Sequence, residues 1–223
     1  MPGTVRTRVK ICGITRIDDA RAAAHEGADA IGLVLWPGTP RCVEFEQARA
    51  IVAALPPFVT TVGLFVDPDP AAVRAALDAV PLDLLQFHGD EPQALCASFA
   101  RPYIKAVPVR AGVDLLQYAS RYRDARGILF DAYDPGGMPG GTGRTFDWAS
   151  LAARLATSLA KPMILSGGLT PDNVGIAVRA LGPWAVDVSS GVEQIGEDGR
   201  PRKGVKDPAR IAAFIRGVRD ADG

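Results

Sequence analysis

The sequence is most informative first in what it lacks. It has three cysteines, Cys12, Cys42 and Cys96, an odd number at wide spacing with no CxxC pair. That excludes a disulfide framework and a thiolate zinc site, and it suits a reducing cytoplasm. Only two histidines occur, His25 and His88, and neither stands at metal-ligand spacing from a carboxylate, so no metal is expected. Neither sign of charge is in excess: Lys+Arg and Asp+Glu both number 25. Nucleic acid and an anionic membrane surface are therefore not expected partners. No apolar run reaches the roughly 18 residues of a membrane span, and no signal-peptide core follows the charged first ten residues. A hydrophobic fraction of 48% is nonetheless ample for a large core.

What is present is a regular beat of short β-rich apolar runs, each followed by a helical pattern. The strands are predicted at Arg8–Cys12, Ala30–Leu35, Thr60–Phe65, Leu84–His88, Tyr103–Val107, Gly127–Asp131, Met163–Ser166 and Ala185–Ser189. Helices are predicted over Ile17–Glu26, Phe45–Leu55, Ala71–Val80, Glu91–Phe99, Val113–Arg123, Trp148–Leu159, from Thr170 to Leu181, and over Ala209–Val218. Asp69-Pro70 and Asp207-Pro208 are cap-and-first-turn pairs that start helices. Alternation of this kind demands a parallel sheet covered by helices. Eight units in a chain of this length predict one α/β domain, residues 1–223, folded as a closed (β/α)8 TIM barrel. An open doubly wound sheet would want a G-x-G-x-x-G turn after the first strand, where only Gly13 stands.

In such a barrel the chemistry lies where the strands end. The residues that close the strands are Cys12, Leu35, Phe65, His88, Val107, Asp131, Gly167 and Ser189. Period-two alternation puts Lys10 and Cys12 on one face of the first strand and Val9 and Ile11 on the other. Asp131, Asp187, Lys10 and Lys105 are all expected to point inward. A lone inward carboxylate costs several kcal/mol, so Asp131 needs a partner or a task. One reading is a balanced ionic network of these four residues with no chemistry, Asp131 pairing with Lys10 or Lys105. His88 is either a general base or a lining residue, the lining role preferred. Arg41, held by Pro40 on the loop after the second strand, is either a solvated surface arginine or a fork over the mouth suited to a carboxylate. Three glycine-rich turns succeed one another: Gly140-Gly141-Thr142-Gly143, Ser166-Gly167-Gly168 and Ser189-Ser190-Gly191. Any one alone reads as a tight turn; three in succession favour a phosphate cradle of N–H and hydroxyl groups, for which no Lys or Arg is required. The charged segment Gln194–Lys203 is read as a surface insertion.

These pieces together resemble the phosphoribosylanthranilate isomerases of tryptophan biosynthesis. The matching stretches are Lys10-Ile11-Cys12-Gly13-Ile14-Thr15, Pro40-Arg41, Val62-Gly63-Leu64-Phe65, Gln86-Phe87-His88-Gly89 and Leu129-Phe130-Asp131. Farther on come Gly140 to Gly143, Phe146-Asp147-Trp148, Gly167 to Val174, Asp187 to Glu193, and Lys206-Asp207. The resemblance implies a cytoplasmic enzyme acting on a small phosphosugar by an Amadori-type aldose–ketose rearrangement, without cofactor, as a monomer or homodimer. It implies Asp131 as general acid and Cys12 as general base. Arg41, His88, Asp187 and Lys10 are the implied substrate contacts. Gly141, Thr142, Gly143, Gly167, Gly168, Ser189, Ser190 and Gly191 are the implied phosphate site. Lys10, about 6.5 Å from Cys12 along the strand, is placed to favour the thiolate, directly or through Asp187.

Overall fold

The computed structural model describes residues 6–109, 113–131 and 161–223. Eight parallel strands, β1 (Arg8–Cys12), β2 (Ala30–Val34), β3 (Thr60–Phe65), β4 (Leu84–Phe87), β5 (Tyr103–Pro108), β6 (Gly127–Asp131), β7 (Met163–Ser166) and β8 (Ala185–Val188), bond in sequence order. β8 pairs with β1, Lys10 lying opposite Asp187, and the sheet closes into a barrel. The helices are α1 (Ile17–Glu26), α2 (Phe45–Ala53), α3 (Pro70–Ala79), α4 (Gln93–Cys96), α5 (Leu115–Ser120), α6 (Val174–Leu181) and α7 (Pro208–Asp222). The helix expected over Trp148–Leu159 and the loop Ala132–Thr145 lie outside the described residues.

Local chemistry explains the boundaries. Asp69 and Asp207 each accept an N–H from the first turn of α3 and α7, with proline in that turn. Gly27 closes α1 in the left-handed region, at φ 92°. Thr170-Pro171-Asp172-Asn173 leads into α6, with Asn173 as its N-cap and Val174 its first helical residue; the Asn173 side chain accepts from Thr170 N and donates to Gly168 O rather than to the helix.

Two separate apolar clusters assign the strand faces. Ile104, Ala106, Leu129, Ile164 and Ala185 fill the barrel interior, while Val9, Ile11, Phe65, Phe87, Tyr103, Val107 and Phe130 pack outward against the helices. Of the strand-closing residues, Leu35, Phe65 and Val107 therefore face the helices. Their inward neighbours at the mouth are Val34 and Leu64, which pack with Cys12.

The same parity corrects Lys105. It shares the outward face of Tyr103 and Val107, fully buried beneath α5 and 5.3 Å from the Tyr122 ring. Its ammonium lies 3.2 Å from Glu91 Oε2 and donates to the carbonyls of Gly89 and Ala106. β5 is apolar on both faces, as parallel strands are, so its alternation carried no direction.

The segment after β8 is more than an insertion. β9 (Glu193–Ile195) and β10 (Pro201–Lys206) form an antiparallel hairpin. Its charged tip is exposed, but Glu193, Gly204 and Lys206 at its base are buried. Gly204 has φ 84°, and a Cβ there would stand 3.1 Å from Thr15 Cγ2. The missing side chain lets the base of the hairpin press on the loop after β1, where Thr15 Oγ1 donates to Gly204 O. Among the described residues no helix is long and apolar enough to cross a membrane.

Candidate active site

The first inward pair at the mouth is Lys10 and Cys12. Both are buried, and both crowd the space over Gly32 of the next strand. A Cβ at Gly32 would lie 2.7 Å from Cys12 Sγ and 3.0 Å from Lys10 Nζ. Glycine at that place on β2 makes room for thiol and ammonium together, a requirement the sequence did not announce. Lys10 Nζ donates to Asp187 Oδ1 at 2.8 Å, and Ser166 Oγ donates to the other carboxylate oxygen at 3.3 Å. Asp187 is thus the structural partner of Lys10.

Burial pushes the Cys12 thiol up from its ordinary value. The ammonium of Lys10 and, more remotely, that of Lys206 pull it down, while the Asp187 carboxylate adds to the rise. Burial wins, so in this state Cys12 carries its proton. Burial alone would lower Lys10, but the Asp187 carboxylate opposes it and the ammonium is held charged.

Across the mouth, Asp131 ends β6 on the inward face of Leu129. Its partner is neither Lys10 nor Lys105. His88 Nε2 stands 2.9 Å from Asp131 Oδ2, and Gln86 Nε2 stands 2.9 Å from His88 Nδ1. Gln86 on β4 and His88, just past its end, continue the inward face of Leu84. Gln86 is fully buried, and its Oε1 finds no partner among the described residues. A buried orphan acceptor costs about 1–3 kcal/mol. His88 is the neighbour of Asp131, not merely a lining residue.

Arg41 reaches the mouth because Gly13, at φ 71°, leaves it space; a Cβ on Gly13 would meet Arg41 Cδ at 2.8 Å and Ser189 Oγ at 2.9 Å. The carboxylate its fork grips is Glu193: Nε donates to Oε1 at 2.7 Å and Nη2 to Oε2 at 2.8 Å. Glu193 also takes the ammonium of Lys206 at 3.3 Å and the N–H of Gly204 at 2.9 Å. Sequence reasoning missed Glu193 and Lys206 as parts of the site. Their appearance beside Gly191 and Asp207 in the matching stretches was the only signal.

Burial would push Glu193 up, but Arg41, Lys206 and the Gly204 N–H together hold it below the usual carboxylate range. A carboxylate lowered on folding contributes stability that is complete above its ordinary value near 4.5. That contribution is lost as pH falls through the folded value. Melting curves from pH 6 to pH 3 should show the wild type losing more stability than Glu193→Gln below about pH 4.5. Equal acid sensitivity in the two would contradict this account of Glu193.

Two of the three glycine turns are described. Gly167 and Gly168 follow β7 with φ 87° and 65°, and a Cβ on Gly168 would meet nothing within 4 Å. Ser190 to Val192 form a short 3-10 turn after β8. Gly191 lies so near Leu169 that a Cβ would stand 1.9 Å from its carbonyl oxygen, so these two turns touch. Lys206 Nζ donates to Ser189 O at 3.0 Å and lies 3.3 Å from its hydroxyl oxygen, bringing a buried cation beside the second turn. Gly141, Thr142 and Gly143 lie outside the described residues.

Comparison with known proteins decides the lineage. Residues 9–217 match the sequence model of N-(5'phosphoribosyl)anthranilate (PRA) isomerase. The chain belongs to the N-(5'-phosphoribosyl)anthranilate isomerase family. The N-(5'-phosphoribosyl)anthranilate isomerase of Pseudomonas putida F1 is 56% identical over 214 residues, 96% of this chain and 98% of that protein. The crystal structure of phosphoribosyl anthranilate isomerase from Thermotoga maritima shares 39% identity at a TM-score of 0.82, covering 96% of this chain and 99% of that one. Another isomerase structure, in complex with reduced 1-(o-carboxyphenylamino)-1-deoxyribulose 5-phosphate, has 38% identity, a TM-score of 0.79 and the same coverages, 96% and 99%. The barrel is wider than the family: a thiamine phosphate pyrophosphorylase from Pyrococcus furiosus shares the fold at a TM-score of 0.69 and 15% identity, covering 99% of both chains.

Proposed function

We propose that this chain isomerises N-(5-phosphoribosyl)anthranilate to 1-(o-carboxyphenylamino)-1-deoxyribulose 5-phosphate, in tryptophan biosynthesis. The observation that carries the reading is the placement of a thiol and a carboxyl on the inward faces of β1 and β6, facing one mouth, in a member of this family. Asp131 is the general acid. It gives a proton to the ribose ring oxygen as the ring C–O bond breaks, and the anthranilate nitrogen supplies the electron pair that forms the Schiff base. Cys12, as thiolate, removes the proton from C2′, and the resulting enolamine becomes the ketone as its 2′-hydroxyl gives up a proton and C1′ takes one.

The remaining roles follow from charge and shape. Arg41, on its Glu193 anchor, faces the anthranilate carboxylate, and the apolar wall of Val34, Leu64 and Cys12 suits the aromatic ring. Lys10 supports the thiolate, with Asp187 holding the ammonium in place. His88 sits beside the acid. The phosphate goes to the glycine turns: Gly141, Thr142, Gly143, Gly167, Gly168, Ser189, Ser190 and Gly191.

The test is the loss of anthranilate-adduct fluorescence on mixing freshly made substrate with the purified chain. Wild-type protein should consume it, and Cys12→Ser should not at a comparable rate. Tight binding without turnover would assign the barrel a non-catalytic role. Full activity in both Cys12→Ser and Asp131→Asn would sink the acid–base assignment.

A further inference from the structure

We propose that Gln86 is a positioning residue for the acid step: its side-chain amide fixes the tautomer of His88, so that His88 presents Nε2–H to Asp131. This rests on the reading of Asp131 as general acid. A neutral imidazole has one N–H donor and one lone-pair acceptor. Gln86 points its amide N–H2 at Nδ1 across 2.9 Å, and an N–H2 can only donate. Nδ1 is therefore the acceptor, and the ring proton sits on Nε2, 2.9 Å from Asp131 Oδ2. The amide chooses the nitrogen.

The orphan oxygen is the second observation. Gln86 Oε1 is buried with no partner among the described residues, an arrangement proteins rarely keep without a reason. Reversing the amide would turn Oε1 toward Nδ1, and that oxygen would demand a proton there. The neutral ring would then face Asp131 with the lone pair of Nε2, repelling the carboxylate that forms when the acid gives up its proton. The observed orientation instead holds an N–H against Oδ2, and that bond strengthens as negative charge develops on Asp131. Gln86 bonds His88, and His88 bonds the acid. Gln86 acts through His88, at two steps along one inward strand face.

The chain makes the measurement simple, because His25 and His88 are its only histidines and His25 is exposed on α1. Enzyme labelled with 15N-histidine, with His25→Asn to assign the remaining ring, should show the His88 ring protonated at Nε2 and bare at Nδ1. Gln86→Leu removes the donor and should give a mixture of tautomers, with kcat lower by about tenfold or more and KM little changed. Gln86→Glu places an acceptor at Nδ1 and should move the proton there, with a larger fall in kcat. A wild-type ring protonated at Nδ1 would overturn the proposal, and that result needs no variant to fold. So would variants that keep the wild-type tautomer, whether or not kcat falls. An active Asp131→Asn would instead bring down the acid reading, leaving the tautomer result standing.

Discussion

Asparagine in place of Asp131 is expected to lower kcat by about 10²- to 10⁴-fold, the range that a positioned proton donor supplies. The substitution is close to isosteric. Its amide oxygen can still accept from His88 Nε2–H, 2.9 Å from the wild-type carboxylate, so the mouth keeps its shape. What vanishes is a proton that can leave with the breaking ring bond. KM should stay within a few-fold, because substrate binding is assigned to Arg41 and the glycine turns. Steady-state fluorescence gives both constants, and a melting curve checks that the barrel is intact. A kcat within tenfold of wild type, in a variant that melts normally, would place the acid elsewhere.

Lys10→Met is the second large effect, and its sign is fixed by charge. Burial pushes the Cys12 thiol up, and the largest opposing influence is the Lys10 ammonium. Removing it must raise the thiol further, so the limb of the rate profile that reports thiolate formation moves to higher pH. Each unit of movement costs tenfold in thiolate at neutral pH. The same change strands Asp187, which is buried and loses a 2.8 Å ion pair. An uncompensated buried charge costs about 3–5 kcal/mol, so the variant should also melt well below wild type. Adding Asp187→Asn separates the two losses. The double variant should recover its melting temperature, yet its limb should stay alkaline of wild type, because Lys10 acts on the thiol through both charge and hydrogen bond whereas Asp187 opposes it through charge alone. A limb unmoved by Lys10→Met would remove Lys10 from the chemistry.

The barrel was legible because its signal is repetition. Eight short apolar runs with intervening helices leave little freedom, and strands such as Arg8–Cys12 and Thr60–Phe65 lie where alternation put them. Direction was legible only where a strand is polar on one face. On β1 the inward Lys10 and Cys12 contrast with Val9 and Ile11. On β5 both faces are apolar, so the expectation that places Lys105 at the mouth has nothing to orient it, and the residue lies on the outward face. Its true partner, Glu91, lies on a loop 14 positions earlier (105 − 91), beyond the reach of any period. The hairpin after β8 was hidden by composition: Gly196 to Arg200 is charged and turn-rich, which reads as a loop, while the few residues that dock it are scattered. The pairing of His88 with Asp131 depends on which strands end at the same height, and that is a property of the closed ring.

Two ion pairs at the mouth join the first part of the chain to the last. Lys10 on β1 meets Asp187 on β8, and Arg41 meets a glutamate 152 positions later. During synthesis these cations wait without their anions until nearly the whole chain has emerged, and loop-closure entropy delays such distant contacts further. The ammonium beside the thiol is thus steadied only once the ring has shut. Catalytic turnover in this protein doubles as a readout of ring closure: a refolding chain should regain helical signal first, and its isomerase rate only with the final β1–β8 seam.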